Sequence, residues 1–438
     1  MLTVAYLANE FPSAFEPYVP DEIAELRSRG VQVIASSAWR PRSSEGVDIV
    51  LLPPGLSVLF RAMWLCLRRW KRIAPLVQRV VLWGRETPWQ RVRALAHTFL
   101  GACYAVRLQD QDVRHIHVVH GYFGSWIAMT AARLLGVEFS LTLLGSDLLM
   151  HGAYLDAKLK NCAFCLTCSD YNRRYILGQY SEVEPEKVVV SRLGADIPAF
   201  ASTFARPKAS DEPLRLLTIG RLHRVKDHAF LVHACELLHG RGIGFECFIA
   251  GKGPERERLE SVIRESGLDG RVHLMGYVPQ EQMESLYDSA DVVVLTSRSE
   301  GIPLVLMEAM ARGKIVLAPA ITGIPELVID GKTGFLYKAG SLDDFVGRLI
   351  SIRELMRDGS SKQPHAGAGS LPPGPQLDWI RHAARVHVRH NFNRTTNLAS
   401  FANLFLQRIT PQNESVPRED SVLQQIQLSV QRNGSVPV

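Results

Sequence analysis

The feature that most constrains this chain is a rhythm. Short apolar runs without polar alternation recur, and most are followed by a stretch with helical spacing or by a loop. "LTVAYLA" at 2–8 leads into "PYVPDEIAELRSRG" at 17–30, and "VQVIASSA" follows at once. "HIHVVHG" (115–121), "FSLTLLG" (139–145), "FCLTCS" (164–169) and "KVVVSRLG" (187–194) are runs of the same kind. A strand wet on one face alternates; one covered on both faces does not, and such strands belong to parallel sheets flanked by helices. The series breaks at 197–213, "IPAFASTFARPKASDEP", whose Pro, Ala and Ser content reads as a linker. It then restarts. "LRLLTIG" (214–220), "GFECFIAG", "RVHLMGYV", "DVVVLTS" and "KIVLAP" alternate with helices such as "DHAFLVHACELLHGRG" (227–242). Repeated β-α units give a doubly wound parallel sheet. The expected fold class is therefore α/β, with two Rossmann-like domains, 1–196 and 214–378, facing a cleft. A flexible insert is expected at 358–376, a helix at 379–409 and a disordered tail at 410–438.

Length and composition narrow the class further. A chain of 438 residues with 46 % apolar content suits two or three domains with sizeable cores. No secretory leader and no membrane-spanning run is legible, and the cysteine count is odd at seven, so free thiols in a reducing cytoplasm are expected. Charge is uneven. Between 61 and 93, Arg61, Arg68, Arg69, Lys71, Arg72, Arg79, Arg85, Arg91 and Arg93 face a single acid, Glu86, with Trp64, Trp70, Trp83 and Trp89 interleaved. Region 56–93 reads either as a solvated helix face over buried tryptophans or as a peripheral contact with anionic membrane; the second is the expectation. Nucleic acid is not an expected partner, since no recognised motif accompanies the charge.

In open α/β sheets ligands bind beyond the carboxyl ends of the strands. In the second half those ends carry Gly220-Arg221-Leu222, Gly251 to Pro254, Gly276-Tyr277 and Ser297 to Pro303. Arg221 and Lys226 stand before a helix whose N-cap is expected at Asp227, where a diphosphate would suit them. Solvated turn cations are the competing reading, and local sequence does not decide between them. In "SRSEGIPLVLMEAMARG" (297–313) Pro303 suits a first helical turn and Gly313 an end. Glu300 then precedes the helix, and Glu308 lies roughly 7.5 Å along it. Free amides near Leu304 and Val305 would favour an anion between two carboxylates that suit sugar hydroxyls. Read by spacing alone, the pair could equally be a helix-terminal charge and a half-exposed face residue.

Taken together, "IGRLHRVKDH", "IAGKGPERERLESVIRESGLDGRVHLMGYV" and "SRSEGIPLVLMEAMARGKIVLAPAITGIPELVIDGKTGFL" resemble the family-four retaining glycosyltransferases of the GT-B fold. "NEFPSAFEPYVPDEIAEL", "HGYFGSWIAMTAARLLG" and "CSDYNRRYI" resemble the branch that builds exopolysaccharides and related surface glycans. The resemblance covers most of 1–357 and resumes at about 379–406. It implies that Glu300, with the backbone of Gly301, Ile302 and Pro303, contacts the donor hexose and that Glu308 holds the ribose. Arg221 and Lys226 would bind the diphosphate, with Gly220 and Leu304 beside the donor. It implies a UDP- or GDP-type nucleotide sugar as substrate, no cofactor, no metal, a glycan or lipid-linked acceptor on the first domain, and a cytoplasmic enzyme peripheral to the membrane. It also implies that the C-terminal helix crosses back to the first domain.

One position departs from the pattern. In "TLLGSD" (142–147) many members carry histidine where this chain has Leu144. Asp147 and His120 are the remaining candidates on that side, His120 reading also as a buried strand-end residue. "CAFCLTC" hints at ligation through Cys162, Cys165 and Cys168, but buried small apolar residues are the better reading. Two rivals to the transferase stay open: a GT-B-like sugar-nucleotide epimerase, which "EGIPLVLME" argues against, and a sugar-nucleotide-binding protein without turnover, which Leu144 keeps alive.

Overall fold

The computed structural model describes residues 2–13, 16–40, 46–84, 86–150, 152–198, 212–358 and 376–410. Most of the expected linker, the insert and the tail lie outside them. The first domain is built on seven strands: β1 (Thr3–Ala8), β2 (Gln32–Ser37), β3 (Ile49–Val50), β4 (His115–Val119), β5 (Glu138–Leu143), β6 (Cys165–Thr167) and β7 (Val188–Val190). They run parallel in the order β3-β2-β1-β4-β5-β6-β7. Its helices are α1 (Tyr18–Ser28), α2 (Leu56–Arg68), α3 (Trp70–Leu82), α4 (Pro88–Leu108), α5 (Phe123–Leu135), α6 (Ser146–Leu149), α7 (Leu155–Asn161) and α8 (Asp170–Gln179). Every residue of β1 and β4 is buried, as strands covered on both faces must be.

The second domain repeats the scheme with six strands: β8 (Leu214–Ile219), β9 (Phe245–Ala250), β10 (Val272–Gly276), β11 (Val292–Val294), β12 (Ile315–Pro319) and β13 (Phe335–Tyr337). Their order is β10-β9-β8-β11-β12-β13, again all parallel. The helices are α9 (His228–Gly240), α10 (Arg256–Glu265), α11 (Gln280–Ser289), α12 (Leu304–Ala311), α13 (Ile324–Leu327), α14 (Leu342–Asp358), α15 (Gln376–Asn391) and α16 (Arg394–Ile409). In each sheet the order reverses direction beside the first strand, β1 or β8, and that switch point is where a doubly wound sheet opens a crevice.

The single helix expected over 379–409 is two helices. Asn393 caps α16 by accepting from Thr396 N at 3.2 Å, and Ala195 bridges the break by bonding Phe392 O and Arg394 N. The competing cap ends the first helix. As a result α15 packs on α12 and β12, while α16 crosses to α1. There Phe405 meets the rings of His115, His117 and Phe164. The run 187–194 is also shorter as a strand than its apolar pattern predicts, since pairing stops at Val190.

Region 56–93 forms a helical annex of α2, α3 and the start of α4. Thr87 and Gln90 close a capping box on α4, with Pro88 in its first turn. The tryptophans are exposed rather than buried: Trp64, Trp70, Trp83 and Trp89 all lie more than half in solvent. Several of the arginines turn inward instead. Arg69 and Arg72 donate to the carbonyl of Leu134, Arg91 to those of Val81 and Gly84, and Arg79 pairs with Glu86 and Asp156. No described helix is long and apolar enough to cross a membrane.

Candidate active site

The two sheets face each other with the carboxyl ends of their strands toward one cleft, and the domains touch across it. Cys168 and Ala195 of the first domain share an apolar cluster with Ile302, Leu306 and Ile324 of the second, and Leu144 packs on it. A Cβ on Gly301 would fall 2.2 Å from Leu144 O and 2.6 Å from Cys168 Sγ, so only glycine permits this approach.

The second-domain wall is assembled from two loops. After β8, Gly220 N donates to Ala250 O, and the chain passes through Arg221 into a single 3-10 turn, Arg224–Lys226. Thr296 Oγ1 donates to Lys226 O at 3.0 Å and Arg298 N to Val225 O at 2.8 Å, which stitches this turn to the loop after β11. That loop carries Glu300, whose Oε1 receives Lys226 Nζ at 2.5 Å. With side chains 21 % and 12 % exposed, the pair is held at the cleft rather than in bulk solvent. Thr322 Oγ1 donates to Glu300 O at 2.6 Å and fixes the backbone beneath it.

Pro303 is the N-cap of α12 rather than a residue of its first turn, and no side chain caps the helix there. The amides of Leu304 and Val305 thus stay open to an anion. Ser297 and Ser299 hold buried hydroxyls that lack a protein partner among the described residues. Glu308, further along α12, accepts from Tyr287 Oη at 2.7 Å. Burial raises its carboxyl above the usual range, against the opposing pull of Tyr287 and Arg312. The expected cap at Asp227 is in position but does not cap: its carboxylate takes Arg298 Nε at 2.7 Å instead, because its left-handed backbone (φ 49°) turns the side chain away.

On the first-domain wall, Asp147 and His120 come together. His120 Nδ1 lies 3.5 Å from Asp147, and its Nε2 lies 2.9 Å from Glu16 and 3.3 Å from Tyr18 Oη. Its φ of 74° is a strained, left-handed value for a non-glycine residue, of the kind concentrated at functional sites. Burial opposes charge on His120, but the two carboxylates outweigh it and raise the imidazole to about 10. Asp147 is itself wholly buried. Burial would raise its carboxyl, yet His120 and the amides of Gly121 and Gly145 hold it below its ordinary value. Asp147 therefore acts on the backbone of the β4 and β5 ends, and His120 is the member of the pair nearer the surface.

Three contributors escape a reading of the sequence. Glu326 of α13 reaches across the cleft and accepts from Asp170 N at 3.0 Å and Tyr171 N at 2.6 Å, capping α8 of the other domain. Tyr287 orients Glu308. Asn172 Nδ2 donates to Leu144 O at 2.7 Å and fixes the carbonyl against which Gly301 rests. Nothing local marks any of them, since each partner lies far along the chain. Cys162, Cys165 and Cys168 are buried free thiols, each donating to a backbone carbonyl. Among the described residues no group of three or more His, Cys, Asp or Glu is arranged to hold a metal.

Comparison with known proteins agrees with this geometry. Among curated relatives, WcaL of Escherichia coli strain K12, named for colanic acid biosynthesis, is 32 % identical over 226 residues, 50 % of this chain and 51 % of that protein. The amylovoran biosynthesis glycosyltransferase AmsK of Erwinia amylovora is 33 % identical over 175 residues, 39 % of this chain and 42 % of AmsK. The chain spans about half the length of the curated relatives it matches. In fold it superposes on the sucrose-phosphate synthase of Thermosynechococcus elongatus with a TM-score of 0.67, 17 % identity and coverage of 93 % and 99 % of the two chains. Anabaena HepE in complex with UDP gives a TM-score of 0.63, 17 % identity and coverage of 93 % and 100 %. The fold is thus the two-domain GT-B arrangement. Residues 200–364, the stretch that holds Arg221, Lys226, Glu300 and Glu308, match the model for glycosyl transferases group 1.

Proposed function

We propose that the protein is a retaining, metal-independent hexosyltransferase. It moves a sugar from a UDP- or GDP-type nucleotide to a glycan or lipid-linked acceptor in the synthesis of exopolysaccharide, lipopolysaccharide or glycolipid. The observation that carries this reading is the Lys226–Glu300 pair beside the uncapped start of α12. A diphosphate on those amides would draw Lys226 from Glu300 and free the carboxylate for hexose hydroxyls. Glu308, oriented by Tyr287, faces the ribose. When the anomeric C–O bond to phosphate breaks, the charge gathering on the leaving nucleotide is met by Arg221, Lys226 and the helix amides, prearranged electrostatic stabilisation of the transition state. The acceptor oxygen bonds to the same face of the sugar, and its proton passes to the leaving phosphate. No protein nucleophile is needed. The names of WcaL and AmsK support a place in surface-polysaccharide synthesis. The exposed tryptophans of α2 to α4 support peripheral contact with the cytoplasmic face of an anionic membrane. Among the described residues no contact in the cleft favours an epimerase.

The test is release of nucleotide from candidate UDP- and GDP-sugars. Glu300→Ala and Arg221→Ala should each lower turnover by about 10²–10³ with circular dichroism unchanged. Wild-type turnover in both variants refutes the assignment.

A further inference from the structure

A second cavity lies in the first domain, apart from the donor wall. It has a volume of about 520 Å³ and opens between the start of α4, the start of α5 and the loop before α7. Arg93, His97 and Lys158 all line it, and none of its lining residues is acidic. Lys158 is 3 % exposed, and its ammonium is held by the carbonyls of Gly121, Tyr122 and Ala153 at 2.6, 3.1 and 2.8 Å. Asp147 and Asp156 act on Lys158 through space, while its bonded partners are the three carbonyls. Burial first, then the charges of Arg93 and Lys158, push the His97 imidazole down to about 4. Burial also lowers Lys158, to about 7, against the pull of Asp147 and Asp156, so Arg93 is the lasting cation in the lining. The 13-residue helix α5 begins at its wall without a side-chain cap, adding first-turn amides to the same space. Tyr154, 4 % exposed with an unpartnered hydroxyl, also lines it.

We propose that this cavity binds the phosphate of a lipid-linked acceptor. Arg93, the open α5 amides and the unpartnered Tyr154 hydroxyl, with no acid in the lining, suit an oxyanion. The apolar attachment follows from what borders the mouth. Arg93 and His97 sit on α4, whose neighbouring Trp89, Val92 and Leu95 are exposed, as are Phe60, Trp64 and Trp70 of the adjoining α2 and α3. A chain leaving the cavity has these exposed apolar side chains of α4 beside it. The wall opposite faces the donor side: Tyr122, which bonds Ser146 Oγ at 2.6 Å, also feels the charge of Arg221. An acceptor seated here presents its sugar toward Glu300. The inference rests on the transferase reading and adds to it the anchoring group and its place.

Calorimetric titration of the full chain with farnesyl phosphate, farnesol, inorganic phosphate and the nucleotides UDP and GDP tests it. Farnesyl phosphate should bind about tenfold or more tightly than either farnesol or inorganic phosphate, with a bound nucleotide still in place. Arg93→Ala should weaken farnesyl phosphate about tenfold, Arg93→Lys should restore part of it, and farnesol should be indifferent to both. Nucleotide binding without farnesyl phosphate binding overturns this inference alone. Absence of both overturns the transferase reading with it. Inorganic phosphate equal to farnesyl phosphate overturns the lipid attachment, and equal affinity in Arg93→Ala overturns the site.

Discussion

Gly301→Ala is the sharpest probe of the cleft, because its consequence can be worked from distances. The added Cβ would lie 2.2 Å from Leu144 O, where real contacts begin at 3.0 Å, so one side must withdraw by about 0.8 Å at the least. The carbonyl side is fixed: Leu144 O accepts from Asn172 Nδ2 and Cys168 Sγ, and the amides of Leu144 and Gly145 are held by Asp147. The Gly301 side, tied by the one bond from Thr322 Oγ1 to Glu300 O, is the less restrained and yields, carrying Glu300 with it. A misplacement near 1 Å at a reacting centre costs about 100-fold in rate. Nucleotide release should therefore fall by about 100-fold, whereas affinity for the free nucleoside, whose proposed partner Glu308 lies further along α12, should change less than about threefold. Gly145→Ala is the graded control. Its Cβ would sit 3.1 Å from Gly301 N, a contact relieved by a few tenths of an ångström, so its effect should stay within about tenfold. Gly301→Ala turning over at the wild-type rate with unchanged thermal stability would refute the claim that the domains meet this closely during catalysis.

The other expectations concern the first domain and its contacts. His120 holds its proton to about pH 10 when folded but to about 6.5 when unfolded, so the stability it contributes is full below 6.5 and lost as pH rises toward 10. The urea-melt advantage of wild type over His120→Gln should thus shrink by about 1.4 kcal/mol per pH unit across that window; a constant difference sinks the idea. The difference is needed because Glu22, raised to about 8 by burial, and Lys158, lowered to about 7 by burial, titrate in the same range. Glu326→Ala leaves two α8 amides without their charged acceptor, which should disfavour the juxtaposed domains by about 2 kcal/mol and enlarge the radius of gyration in small-angle scattering; an unchanged profile argues that the apolar cluster suffices. Vesicles rich in phosphatidylglycerol should bind wild type in a salt-sensitive way, and Arg68→Ala with Lys71→Ala should weaken binding about thirtyfold. Equal binding to neutral vesicles would rule out the electrostatic contribution.

The parallel sheets are legible in the sequence because a strand covered on both faces carries its environment in every residue, as β1 and β4 do. The break at Asn393 is less legible. Helical periodicity runs through it, and the cap wins only because Ala195 supplies a bridge from another domain. Side-chain direction is least legible of all. Arg69, Arg72 and Arg91 read as part of a cationic face, yet they end on backbone carbonyls that composition does not reveal. The same holds for Glu326, whose partners lie more than 150 residues away.

The two carboxylates of "SEGIPLVLMEAM" look alike in sequence and differ in surroundings. Glu300 stands against a cation, Lys226, in a loop whose backbone is tied down by Thr322. Glu308 stands against a neutral hydroxyl, Tyr287, whose ring in turn carries the Arg312 guanidinium at 4.9 Å. A carboxylate that already holds a cation exchanges it readily when a stronger anion arrives, so Glu300 is suited to a role that begins once phosphate has entered. A buried carboxyl bonded by one hydroxyl keeps further acceptor capacity, and in a low-dielectric site each bond it makes to a ligand hydroxyl is stronger than in water. Glu308 is thus poised to bind whether or not phosphate is present. For the proposed transferase, the expected order is nucleoside first on Glu308, diphosphate next on the α12 amides with Lys226 released, and hexose last on the freed Glu300. That order would bring the reacting carbon to the first domain only once the donor is fully seated.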